Sequence, residues 1–187
     1  ENGPCFFPML RQQFRKASGT PNYSLADFLP PRDADAEGWL GCFAVGCIVD
    51  KAFLEARKDD DYETLLAKTL AESLAEAGTE YLHEQARMEW KDGEALQFIR
   101  PAPGYPACPD HSLKADIFRL LDVERKFGFA LTESFMIIPA ASVSGFFVQH
   151  PKAAYFAVGK LGDDQLADYA AKRNGDVRDI VRFIAWR

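Results

Sequence analysis

At 187 residues, 48% hydrophobic and 27% charged, the chain is long enough to bury one substantial core and is expected to form a single domain over 1–187. A formal charge of −6 and a pI near 5.1 argue against nucleic acid or an anionic membrane surface as partner, since both reward clustered Lys and Arg. No apolar run of transmembrane length and no signal-peptide pattern is present, so the expected location is the cytoplasm.

The chain enters directly into apolar text, ENGPCFFPMLRQQ, as a module cut from a longer protein would. PNYSLADFLPPRDADAEG is read as loop, with Asp27 between Leu25 and Phe28 where the loop touches the core. Residues 38–49, GWLGCFAVGCIV, are an apolar run bounded by glycines and Asp50, consistent with a buried strand. Cys42 and Cys47 within it read as small buried hydrophobes. Cys108 and His111 lie close in sequence but lack the second ligand pair that a structural metal site needs.

From Asp60 to about Trp90, apolar residues recur every three to four positions (Tyr62, Leu66, Leu70, Leu74, Ala77, Tyr81, Leu82), which predicts one long amphipathic helix. Asp59, Asp60 and Asp61 at its start suit an N-cap and the helix dipole. Gly78 marks a point of close packing, and Glu76 lies beside the apolar stripe.

The stretch Arg100 to Lys114, RPAPGYPACPDHSLK, carries four prolines, which remove amide donors and fix φ, so it is expected to be a shaped loop. A rigid loop holds ligand groups at little entropic cost. Within it Arg100 offers a planar fork for a carboxylate or phosphate, Gly104 a close backbone approach, and Tyr105 a flat face with a polar tip. Residues 112–127 are expected to be helical from a Ser112 cap, followed by strands at 129–138, 143–149 and 154–160. The last two are read as a hairpin joined by HPKAA. Short helices at 163–173 and 176–186, separated by the stop signals Asn174 and Gly175, close the chain. The sum is an α+β fold with a mainly antiparallel sheet, one long helix and short C-terminal helices.

No nucleophilic triad is legible: Ser142 and Ser144 lack a G-x-S-x-G elbow, and His83, His111 and His150 show no pairing. No glycine-rich strand-to-helix nucleotide fingerprint is present either, which argues against an independent methyltransferase.

In order along the chain, LRQQ, LADF, GTEYLHE, RPAPGYPACPDH, LTES, PAASVSG, HP, AYFAVGK and DQLADYA resemble the S-adenosylmethionine-binding reactivation domain of cobalamin-dependent methionine synthase. The resemblance covers almost the whole chain. It implies a module that binds S-adenosylmethionine for reductive methylation of cob(II)alamin, with the cobalamin held on another domain or subunit and the electron delivered by a flavodoxin-like donor. It implies as ligand residues Asp27, Glu76, Arg100, Ala102, Gly104, Tyr105, Tyr155 and Phe156. Arg100 suits the amino-acid carboxylate, Asp27 and Glu76 the ammonium and the field around the sulfonium or ribose, and Tyr105 and Tyr155 the adenosine or methionine portion. The chain alone would be the reactivation part of a methyltransferase. The rival reading is a non-catalytic sensor or docking protein of the same fold.

Overall fold

The computed structural model describes residues 5–31, 33–35, 37–90 and 96–185. Along the chain come a 3-10 turn at Leu25–Phe28, strand β1 (Leu40–Gly46), helices α1 (Lys51–Glu55) and α2 (Asp61–Glu89), and strand β2 (Gln97–Ile99). Helices α3 (Leu113–Leu121) and α4 (Val123–Phe127) follow, then strands β3 (Ala130–Leu131), β4 (Ile137–Ile138) and β5 (Ser142–His150), and helices α5 (Asp163–Lys172) and α6 (Val177–Val181). The architecture is the expected α+β mixture with antiparallel sheet.

Strand β5 is the middle of a three-stranded antiparallel sheet, β1-β5-β2, with Phe43 opposite Gly145 and Phe98 opposite Gln149. Its run Ser144–Val148 is buried throughout. On one face Phe146 and Val148 pack with Leu113 and Ile117 of α3 and with Leu25 and Phe28. On the other, Phe147 stacks on Phe43 with centroids at 4.6 Å and meets His83 of α2. A strand covered on both sides carries a continuous apolar run rather than alternation, and each side chain of this size buried contributes about 2 kcal/mol.

Helix α2 begins where the aspartates suggest, with the Asp60 side chain accepting from Glu63 N at 2.9 Å. Its seating differs from the sequence expectation. The face against the sheet is Ala71, Ala75 and Thr79, whereas Leu66, Leu70, Leu74 and Tyr81 are exposed. Small residues let the helix axis approach β1, and a Cβ at Gly78 would stand 3.1 Å from Val45 Cγ1. The leucine stripe has the right period but marks an outer face.

Four further expectations are corrected. The helix at 112–127 is broken at Asp122, which takes a left-handed conformation (φ 57°) between α3 and α4, and Ser112 makes no side-chain cap because its hydroxyl donates to Asp110. The strand at 129–138 is two short strands folded on each other, β3 with β4, since Thr132 accepts from Met136 N and closes a turn. No strand forms at 154–160, so there is no hairpin with β5; the segment lies against the proline loop, where Val158 N donates to Pro106 O at 2.8 Å. Pro106 has no N–H to return, so a ladder cannot propagate. The last helix ends at Val181, and Trp186 lies outside the described residues. Strand β2, α1 and the 3-10 turn were not expected.

Candidate functional site

The proline loop runs over the sheet between α2 and the segment after β5, and backbone bonds pin it from three sides. Pro101 O accepts from Phe146 N at 2.9 Å, Pro106 O from Val158 N at 2.8 Å, and Pro109 O from Ala185 N at 2.8 Å. At Gly145 a Cβ would stand 2.7 Å from Pro101 O, so glycine is what lets the loop reach the central strand. Gly104 holds φ at 94°, and a Cβ there would meet His111 Cε1 at 2.2 Å. Its position turns the loop over the His111 ring, and it is not among the residues that line the cleft between the loop and α2.

Below the loop the cluster around Asp110 locks this arrangement. Asp110, 1% exposed, accepts from Ser112 N and Oγ at 2.8 Å each and from the Tyr169 hydroxyl of α5 at 2.7 Å. Burial and the Asp110 carboxylate push the Tyr169 phenol up, which keeps it a donor. Arg173 joins by ion-pairing with Asp116 of α3.

Between the loop, α2 and Tyr155–Phe156 lies a cleft of about 540 Å³, within the range of small-molecule sites. Phe43 and Val143 of the sheet floor it, Glu76 and Thr79 of α2 form one wall, and Arg100, Ala102 and Tyr105 form the other. Tyr155 and Phe156 complete it. Tyr105 and Tyr155 are exposed at the mouth. The Tyr155 hydroxyl accepts from Arg100 N at 2.9 Å, and the Arg100 guanidinium donates through Nη2 to Glu80. That pairing raises the guanidinium pKa and lowers that of Glu80. The Glu76 carboxylate has no hydrogen-bond or salt-bridge partner among the described residues, and its charge adds to what raises the Arg100 pKa. Among the described residues no His, Cys or Ser lines the cleft, and the Thr79 hydroxyl is committed to Ala75 O at 2.8 Å. One guanidinium, two helix carboxylates and an apolar floor suit recognition of a zwitterion with a flat apolar part, and they suit binding better than acid–base chemistry.

Of the residues expected from sequence, Glu76, Arg100, Ala102, Tyr105, Tyr155 and Phe156 are brought together here. Asp27 lies in a neighbouring hollow of about 440 Å³ with Trp39, Trp90 and His150. Both its oxygens accept from Arg11 at 2.5 Å, and Ser24 N adds a bond at 2.9 Å, so its pKa is lowered, chiefly by Arg11. Phe28 joins the two hollows, its ring 6.2 Å from that of Phe156. Sequence reading missed Glu80, although it stands one helical turn beyond Glu76 and so shares its flank. It also missed Phe43 and Val143, which only the strand register brings under the loop.

The family model described as "Vitamin B12 dependent methionine synthase, activation domain" matches residues 2–174. Among solved structures, the chain is similar to one described as the MetH reactivation domain bound to AdoHcy, with a TM-score of 0.85 and 42% identity. That match covers 94% of this chain and 58% of the solved one, so the chain spans a little over half the length of that relative. The chain belongs to the activation-domain family of vitamin B12-dependent methionine synthase.

Proposed function

We propose that the chain is a reactivation module that binds S-adenosylmethionine in the cleft and presents it for reductive methylation of cob(II)alamin held on another domain or subunit. The observation that carries this reading is the convergence of Glu76, Arg100, Ala102, Tyr105, Tyr155 and Phe156 on one cleft, in a chain 42% identical to a domain solved with AdoHcy. When bound, S-adenosylmethionine supplies a methyl already activated on a sulfonium, and the partner's cobalamin supplies the metal that receives it, with one electron from a flavodoxin-like donor.

The residues fit that ligand. Glu80 engages one nitrogen of Arg100, which leaves guanidinium donors for the amino-acid carboxylate. The Glu76 carboxylate receives the ammonium, and Phe43, Val143 and Phe156 give the adenosine an apolar shelf. Asp27 and Gly104 act on the walls: Gly104 turns the loop, and Asp27 ties Arg11 to the 3-10 turn whose Phe28 packs on Phe156. No general base is required, so the chain's contribution is orientation and exclusion of water. The reading assigns the chain to the cytoplasm.

The test mixes the chain with a cobalamin-binding domain, a reductant and methyl-labelled S-adenosylmethionine. Label recovered on cobalamin supports the module. Binding without transfer favours a sensor, and absence of binding overturns the reading.

A further inference from the structure

We propose that Glu80 is a positioning residue, which holds the Arg100 guanidinium in the orientation that receives the ligand's carboxylate. The proposal rests on the reading that S-adenosylmethionine is the ligand.

Arginine is long and rotamer-rich, and a free one must be ordered each time it captures a ligand. Here both ends are fixed beforehand. The Arg100 backbone amide donates to the Tyr155 hydroxyl at 2.9 Å, and Nη2 at the far end donates to Glu80 Oε1. Glu80 is presented from the firmest part of α2, where Ala75 and Thr79 are buried against the sheet. A carboxylate on a rigid helix orients its partner better than one on a loop. The contact uses one guanidinium nitrogen, so the fork remains open towards the cleft, where Arg100 is part of the lining.

Fold stability does not account for the pair. Glu80 is 65% exposed, and pairs of this kind contribute little to folding in water. Nor is Glu80 best read as an anion competing for Arg100. Solvent and salt at the cleft mouth screen its repulsion of an incoming carboxylate, whereas the cost of ordering a freed arginine is local and unscreened.

Calorimetry on the intact chain tests this with two probes, S-adenosylmethionine and its decarboxylated analogue. Glu80→Ala is expected to weaken S-adenosylmethionine binding roughly three- to tenfold and to leave the analogue unaffected, since the analogue lacks the group that Arg100 receives. Glu80→Gln, which keeps an acceptor for Nη2, loses less. Glu84→Gln removes a charge from the same helix, where Glu84 pairs with Arg87, and changes neither ligand. Tighter binding in the Glu80 variants would make Glu80 a competing anion and overturn the proposal. Equal losses for both probes would also overturn it, by reducing the residue to general support of the cleft. A wild-type chain that takes up neither probe would instead sink the ligand reading on which the proposal stands.

Discussion

The Tyr155 hydroxyl accepts a hydrogen bond of 2.9 Å from the backbone amide of Arg100, and so ties the segment after β5 to the first residue of the proline loop. A tyrosine 63% exposed at a cleft mouth contributes little to the core. Tyr155→Phe is therefore expected to leave thermal stability nearly unchanged and to weaken S-adenosylmethionine binding by about 1 kcal/mol, read by calorimetry. Equal affinity would show that the bond does not shape the site.

Gly104→Ala tests the loop's turn. The substituted Cβ would meet the His111 ring, and φ of 94° is strained for any side chain. Strain of this kind costs about 1 to 3 kcal/mol before the clash is added, so a lowered melting temperature together with weakened ligand binding is the expected result. An unaltered melting temperature would mean that the loop turns some other way.

Asp110 carries the anchorage of the loop to α3 and α5. Asp110→Ala leaves the buried Tyr169 hydroxyl and Ser112 amide without their acceptor. The expected loss is about 3 kcal/mol, or roughly 6–12 °C in melting temperature for a chain of this size. A shift of only a degree or two in thermal denaturation would contradict the network's importance.

The pH dependence of stability follows from two histidines. Burial, and then the Lys114 ammonium, lower the pKa of His111; burial, and then Arg100, lower that of His83. Below an ordinary value of 6.5 the unfolded chain takes up protons that the folded chain refuses until lower pH. This contribution to stability is thus fully present above about pH 6.5 and falls as pH drops towards the lowered folded values. Denaturant midpoints measured between about pH 7.5 and 5 should decline, with a shallower decline in His111→Gln. A flat wild-type profile would refute the assignment.

What the sequence made legible was set by local chemistry. Prolines and Gly104 declared the loop, and alanine, leucine and an aspartate cap declared α2. The apolar residues of 143–149 between Pro and Gly-type breaks declared a strand there, which is β5, though its burial on both faces was not read from them. The rest depended on distant contacts. The period of α2 could not say which stripe faces the sheet, because close approach to Val45 selected alanines over leucines. The extended segment 154–160 has strand-like residues, yet Pro106 denies it a ladder. Six of the eight residues that the resemblance implies as ligands, all but Asp27 and Gly104, line the cleft; Asp27 was drawn into an ion pair with Arg11 that local sequence does not announce.

Equilibrium dialysis of the folded wild-type chain and of Arg100→Ala against labelled S-adenosylmethionine tests the central claim most directly. The account predicts saturable uptake of one ligand per chain by the wild type, and an affinity lower by about 1.5 to 3 kcal/mol in the variant, from loss of a charge-assisted hydrogen bond. Absence of uptake by folded wild-type protein, or equal uptake by both, would contradict it.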